Sequence, residues 1–533
     1  MLRRSLRVSL VLAALLGTAG VARANVVTDW NNVLLQAIRV DKTPPPIASR
    51  AMAMVHVAVF DAVNGLVGDY APYAITGRGP GGASPEASAI AAAHKVLVAL
   101  FPAQKATFDA AYATSLAPIF ESTGKAAGIT WGEAVATTVL ALRANDGATA
   151  TVPYNVPTGA FWWAPTPPAF ATVLLPQWPS VTPWAINNPD RFVNVAPPTP
   201  SSAEYTRAFN EVKRLGRDTS GARTPEQTRI ALFWADGAGT ATPPGHWNLV
   251  AQNLTVRQAL NISQSSYLFA ILNIAEADAA IVAWDYKYRY SFWRPVAAIR
   301  NAEIDGNPAT TADPTWTPLL VTPPFPSYIS GHSTFSGAAA KVLALFFGTD
   351  NVSFSTTSDA LPGVTRSFTS FSQAAAEAGQ SRIYGGIHFQ FDNVVGLAAG
   401  AAVGQEAFYN VVTPLAPIAP CHGTDTTLCL DGNRYQVSVQ WDTGTAKGAG
   451  HAVPFTDDSG RFWFFDPNNT EVVVKVVNAC SAFGNHWVFL SGLTNVEVLV
   501  MVTDTQTGRV RTYANPRGTA FMPVQDTKAF ACP

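Results

Sequence analysis

Three short stretches of this 533-residue chain carry side chains able to act together on an oxyanion. The first is Lys287, six residues, then Arg294-Pro295, within the aromatic run Trp284-Asp285-Tyr286-Lys287-Tyr288-Arg289-Tyr290-Ser291-Phe292-Trp293. On one continuous helix seven residues make almost two turns, so Lys287 and Arg294 would share a face about 10 Å apart. Two long cations placed so can converge on a tetrahedral anion. The bland alternative is a solvated charged face with the aromatics in the core. The second stretch is Ser330-Gly331-His332-Ser333, which follows Pro324-Phe325-Pro326-Ser327-Tyr328-Ile329 and precedes an Ala-rich run. A loop entering a helix at Ser-Gly aims free N–H groups and the positive dipole end at one point. An anion there would meet the Ser330 hydroxyl and the Gly331 amide, with His332 poised for proton transfer. An ordinary N-cap is the competing reading. The third is Ser381-Arg382, five residues, His388, three residues, Asp392. One helical turn separates His388 from Asp392, so the carboxylate could orient the imidazole and leave its other nitrogen to attack phosphorus or bind a metal. A satisfied core histidine would look the same. By chance, all three in order would occur in roughly fewer than one chain in a thousand, and their parts are complementary: three cations, a hydroxyl, an amide and two histidines.

The elements that must position these groups are mainly helical. Helical spacing of Ala, Val and Leu runs from Trp30 to about Phe101, and further helices are expected at roughly 104–145, 203–216, 225–235, 264–300, 332–347, 369–382 and 388–410. A proline-rich segment, about 152–200, carries Trp162, Trp163, Trp178 and Trp184, and so many aromatics imply an extended strap packed on the helices. After Pro414 the pattern turns to strands: Tyr435–Trp441 alternates at period two, and Val472–Val477 and Val496–Val502 are valine-rich. The fold expected is mainly α, a helical bundle over 25–412, then a linker at 413–420 and a small C-terminal β-sandwich over 421–533.

Composition bounds the function. With 48% hydrophobic and 13% charged residues the chain supports large cores and excludes disorder. A net charge of -1 offers no basic field for nucleic acid. Residues 1–24 read as a signal peptide, with Arg3, Arg4 and Arg7 before an apolar run and Ala22-Arg23-Ala24 as the cleavage site. The mature chain would begin at Asn25, secreted or periplasmic. No later segment reads as a membrane span, since His56 and Asp61 interrupt the best one. Cys421, Cys429, Cys480 and Cys532 imply two disulfides in the tail, with three pairings open. Oligomeric state has no sequence signal.

The order Lys287-x6-Arg294-Pro295, Ser330-Gly331-His332, Ser381-Arg382-x5-His388-x3-Asp392 resembles the signature that vanadium-dependent haloperoxidases share with the type 2 phosphatidic-acid phosphatase superfamily. The strap, Phe233-Trp234-Ala235-Asp236-Gly237 and Pro243-Pro244-Gly245-His246-Trp247 resemble secreted bacterial haloperoxidase-type proteins, so the likeness spans about 28–412. The tail resembles a β module appended to various secreted bacterial proteins. One departure is Ile329, where the family usually has proline. The resemblance implies vanadate as cofactor, held by Lys287, Arg294, Arg382, Ser330 and the Gly331 amide, with His388 bonding vanadium. It implies that His332 takes a proton from hydrogen peroxide, that Lys287 polarises the bound peroxide, and that halide leaves as hypohalous acid to act on an organic acceptor. Asp236 resembles the residue that orients Arg382. Trp284 and Phe325 fall where chloroperoxidase-like members carry aromatics, which leans toward chloride.

Two other readings stand beside it. The same cage fits a phosphate ester, hydrolysed by a soluble acid phosphatase through a phosphohistidine at His388 with His332 protonating the leaving alcohol and no cofactor. A non-catalytic secreted binding protein is the third. Among the remaining histidines, His56 and His94 read as buried structural residues, His246 as part of a Pro-Gly loop that could line the pocket mouth, and His422, His451 and His486 as parts of the tail.

Overall fold

The computed structural model describes residues 25–532, apart from 158, 194, 415–419 and 507–509. The expected signal peptide lies outside the described residues. Helices α1 (Val26–Asp41), α2 (Pro45–Val67), α3 (Pro85–Leu100), α4 (Lys105–Leu116) and α5 (Thr123–Leu142) form the first half of the body. After the strap come α6 (Ala203–Leu215), α7 (Pro225–Phe233), α8 (Thr242–Arg257), α9 (Ile262–Tyr290), α10 (Pro295–Arg300), α11 (Gly331–Phe347), α12 (Phe371–Tyr384) and α13 (Gln390–Asn410). Their starts follow capping chemistry. Asn25 accepts the Val27 and Thr28 amides, and Asn261 and Gln264 form a capping box at α9. Prolines open α2, α3, α7 and α8, where their missing N–H would have no partner anyway.

Helix α9 is buried along nearly its whole length, its few polar side chains such as Asn273, Glu276 and Asp278 included, and forms the axis of the body. By length and composition α2 and α9 could each cross a membrane, contrary to the expectation of no such segment after the leader. The apolar window of α9 is wholly covered by protein, and so is most of that of α2. The polar residues that seemed to interrupt α2 are themselves inside: His56 Nε2 bonds Asn31 Oδ1 at 3.1 Å, and Asp61 accepts the amides of Tyr73, Ala74 and Ile75. The strap is held the same way. Asp278 of α9 accepts the amides of Trp184, Ala185 and Ile186 at 2.7, 2.7 and 3.0 Å. Trp163, Trp178 and Trp184 are buried beneath the strap, and Trp162 faces outward.

Two expected elements differ. The single helix expected at 264–300 is broken: Ser291 takes a left-handed conformation (φ 43°), α9 stops, and Arg294 becomes the residue before α10. The Pro-Gly loop expected around His246 is instead the first turns of α8. Proline is compatible with a helix there, so its presence was a start signal and not a break.

Helices α11 and α13 pack backbone to backbone. A Cβ at Gly400 would fall 2.0 Å from the Thr334 carbonyl oxygen, one at Gly337 2.3 Å from that of Leu397, and one at Gly404 2.5 Å from that of Ala338. A short hairpin of β1 (Phe354–Thr357) and β2 (Thr365–Phe368) links α11 to α12.

Among the described residues the tail has ten strands: β3 (Leu428–Leu430), β4 (Tyr435–Asp442), β5 (Lys447–Ala449), β6 (His451–Thr456), β7 (Ser459–Trp463), β8 (Val472–Ala479), β9 (Asn485–Gly492), β10 (Glu497–Asp504), β11 (Val510–Asn515) and β12 (Val524–Ala531). One antiparallel sheet runs β11-β10-β4-β3 with β5 on β4, and the other β12-β9-β8-β7-β6. Inward residues of both, among them Val437, Val439, Val474, Val488 and Val500, share one core, which makes a sandwich. The disulfides are Cys421–Cys429 and Cys480–Cys532. Tail and body meet where Glu406 of α13 pairs with Arg511 of β11 at 3.1 Å and with Arg191 of the strap.

Candidate active site

Although α9 ends early, the turn at Ser291 brings Arg294 back beneath the loop that Lys287 holds. Lys287 is wholly buried and donates to the carbonyls of Pro326, Ser327 and Ile329 at 3.1, 2.9 and 2.5 Å. Its three N–H groups therefore go to the loop before α11, including the position that departs from the family's proline. Arg294 donates from Nε to Phe325 O at 2.8 Å and from Nη1 to Ile387 O at 2.7 Å, while Nη1 lies 3.0 Å from His388 Nε2. The Phe325 ring is shared: Lys287 Nζ is 5.1 Å and the Arg294 guanidinium 4.9 Å from its centre, and Trp284 packs against it at 4.9 Å.

His388 and Asp392 sit at the start of α13. Phe389 is the N-cap, so His388 precedes the helix instead of lying on it, and Asp392 in the first turn reaches back. Asp392 Oδ2 lies 2.8 Å from His388 Nδ1 and accepts from the Phe389 amide at 3.1 Å and from Ser327 Oγ at 2.5 Å. Nδ1–H donates to the carboxylate, which leaves the Nε2 lone pair facing Arg294. Close packing of α11 on α13 places Ser330 beside this pair, its amide donating to Asp392 O at 3.0 Å. Ser330 is the N-cap of α11, with Ser333 Oγ 2.9 Å from its hydroxyl oxygen.

Arg382 and His332 approach from the other side. Arg382 Nη1 donates to Trp234 O at 3.0 Å, and His332 bonds the backbone of Trp234 and Ala235. Burial, followed by Arg294, Lys287, Arg382 and His332 in that order, holds the His388 imidazolium well below its ordinary pKa. The groups from all three sequence stretches thus bear on one imidazole. Burial and Arg382 likewise keep His332 neutral. Burial, helped by the Arg294 charge, lowers Lys287 well below the usual lysine value, against the pull of Asp392. Burial also lowers Arg294 to about 9 and Arg382 to about 10, so both remain cations at neutral pH.

Four buried polar atoms in this cluster have no hydrogen-bond partner: Arg294 Nη2, Arg382 Nε and His332 Nε2, and the acceptor Asp392 Oδ1. Leaving such buried groups unmatched is costly, and their concentration at one place marks a position for a guest. Gly331 gives the same indication. A Cβ there would meet nothing nearer than Trp284 at 3.5 Å, so the protein itself does not demand glycine.

Asp236 differs from its expected partner. Its charge favours the Arg382 cation, but its hydrogen bonds are to His246 Nδ1, at 3.1 and 3.4 Å. His246 is buried, not at a pocket mouth. The sequence reading also passed over Ser327, whose hydroxyl holds Asp392, and the Trp234 and Ala235 backbone. A lone serine in a proline loop gives no signal, and backbone carbonyls have none. A cavity of about 680 Å³ between body and tail is lined by Tyr70, Tyr267, Phe346, Phe408 and Pro414 and shares no residue with the cluster.

Residues 267–416, which contain Lys287, Arg294, Ser330, His332, Arg382 and His388, match the family described as the VCPO second helical-bundle domain. The vanadium chloroperoxidase of Curvularia inaequalis is 28% identical over 404 residues, 61% of this chain and 66% of that protein. A bacterial vanadium-dependent iodoperoxidase structure, 29% identical, superposes with a TM-score of 0.63 over 72% of this chain and 95% of its own. These likenesses together support the vanadium haloperoxidase superfamily. A holo-type bacterial vanadium-dependent chloroperoxidase shares the superfamily fold at 18% identity, with a TM-score of 0.56 over 69% of this chain and 91% of its own. The chain spans just under two thirds of the curated relative's length.

Proposed function

We propose that this protein is a vanadate-dependent haloperoxidase that oxidises halide with hydrogen peroxide to a hypohalous species. The observation that carries it is the trio of unpartnered donors and proton sites (Arg294 Nη2, Arg382 Nε, His332 Nε2) gathered around an imidazole held in one tautomer. A cage of arginine cations around one unprotonated imidazole nitrogen, which here faces Arg294, fits vanadate in donor set and charge. The residues that would hold it are Arg294, Arg382, Ser330 and the Gly331 amide, with His388 as the metal ligand; Lys287, expected among them, spends its donors on the 326–329 loop. When bound, vanadate supplies a Lewis-acid centre that activates peroxide toward halide.

The protein's own part is to bind, orient and move a proton. Arg294 and Arg382 neutralise the anion without losing their charge near neutral pH. Asp392 fixes the Nδ1–H tautomer of His388, and Ser327 fixes Asp392. His332, kept neutral by burial and Arg382, can accept a proton from incoming peroxide at Nε2. Lys287 has committed its donors to the 326–329 loop, so it acts by holding Ser330 in place and by its charge across the Phe325 ring. Trp284 and Phe325 make one wall apolar, the feature behind a preference for chloride.

The same proposal divides the chain into a signal peptide (1–24), a catalytic body (25–412), a linker (413–420) and a β domain (421–533). Two disulfides suit an oxidising compartment, and with the leader-like start they support export to the periplasm or medium. Purified protein incubated with orthovanadate should halogenate an organic acceptor only with both peroxide and halide present, and inorganic phosphate should compete. Hydrolysis of a phosphate ester without any halogenation would replace this reading with the phosphatase.

A further inference from the structure

The segment Trp234–Asp236 supports both Arg382, through the Trp234 carbonyl, and His332, through the Trp234 and Ala235 backbone. Asp236 there is left-handed (φ 42°), a conformation that needs outside support in a residue other than glycine. His246 supplies that support. Its Nδ1 lies 3.1 Å from Asp236 Oδ2, its Nε2 lies 3.2 Å from Thr356 Oγ1, and its ring stacks on Trp234 with centroids 4.5 Å apart. The Thr356 hydroxyl can donate or accept, so the contact survives either charge state of the ring. Helix α8 is anchored beside it, because Trp247 Nε1 donates to Ser336 Oγ of α11 at 3.0 Å.

Resting on the oxyanion-binding reading above, we infer that His246 is a positioning residue: clamped between Thr356 and Asp236 and stacked under Trp234, it sets where Arg382 and His332 stand without itself reaching the substrate. Its reach is indirect, through one carboxylate and one backbone segment. The Asp236 carboxylate, fixed by His246, is also the anion that favours the Arg382 cation.

The test uses the full-length protein and orthovanadate as probe, with affinity measured by equilibrium dialysis and folding by thermal melting. His246→Phe keeps the stack on Trp234 and removes both hydrogen bonds. His246→Asn restores a donor toward Asp236, and His246→Gln one toward Thr356 only. The expected result is a Kd for orthovanadate raised about ten- to a hundredfold in His246→Phe, restored to near the wild-type value in His246→Asn and not in His246→Gln. A role confined to stability would shift the melting temperatures without this order of affinities. Wild-type affinity in folded His246→Phe overturns the inference. Should that variant not fold, equal affinities in the Asn and Gln variants overturn it. Wild-type protein that binds neither orthovanadate nor phosphate overturns the functional reading itself, a separate outcome.

Discussion

His388 is committed to one tautomer because Asp392 accepts the hydrogen bond from its Nδ1–H, and Asp392 is held in turn by Ser327 and the Phe389 amide. That chain of contacts makes Nε2 the reactive nitrogen. Gly331 answers to the guest and not to the fold, so Gly331→Ala should melt within a few degrees of wild type. Its methyl group would stand beside the amide that meets the anion, and dialysis should show orthovanadate affinity lowered at least about tenfold, near 1.4 kcal/mol. Glu276 on α9 gives a different prediction. It is fully buried, with the Asn248 amide at 3.2 Å from Oε2 and Oε1 unpartnered. Burial therefore raises its pKa well above the ordinary 4.5. A folded-state pKa above the unfolded one means a proton is taken up on folding, so stability present below pH 4.5 is lost as pH rises toward the raised value. Glu276→Gln resembles the protonated form. Its melting temperature should exceed that of wild type by a margin that grows above pH 4.5, each unit of raised pKa being worth about 1.4 kcal/mol; a margin constant with pH would contradict this.

At the scale of elements, the site exists because α11 and α13 touch backbone to backbone and carry Ser330 and His388 at adjoining ends. Gly400→Ala would put a methyl 2.0 Å from the Thr334 carbonyl oxygen, which the helices can relieve only by separating. The expected cost is about 1–3 kcal/mol, seen as a lower melting temperature, together with weaker orthovanadate binding as the two ends part. Unchanged binding in the destabilised protein would show that the cage tolerates a wider spacing. The break at Ser291 matters equally. A continuous helix would have left Arg294 on the α9 surface, whereas the turn places it under Phe325 and against His388.

For the whole molecule, the body encloses the cage and the tail holds all four cysteines. The Cys480–Cys532 link spans 52 residues and Cys421–Cys429 spans 8, so the longer loop constrains the unfolded chain more, by about 4 kcal/mol against about 2.5 kcal/mol. Removing Cys480 and Cys532 should lower the tail's melting transition more than removing the other pair, while vanadate-dependent halogenation persists. Loss of halogenation would mean that the body depends on the tail through Glu406, Arg511 and Arg191. Cys480, Cys532 and His486 lie close together, but the disulfide uses both sulfurs that a metal ion would require.

The chemistry was legible from residue types and order alone: three cations, Ser-Gly before a helix and two histidines are local facts, and so are the helical periods, the strap and the alternating valines of the tail. Which nitrogen of His388 is free, where Lys287 spends its donors, how the cysteines pair and that His246 stands behind Asp236 were not. Lys287 with Ile329 and Cys480 with Cys532 join segments 42 and 52 residues apart, while His388 with Asp392 and His246 with Asp236 are close in sequence but need the folded backbone to fix which atoms meet. Such contacts are settled by close packing around α9, which no single-segment pattern encodes. The turn at Ser291 belongs only partly with them. Pro295 already disfavours a helix running through Arg294, and the buried partners of Arg294 fix where its side chain then goes.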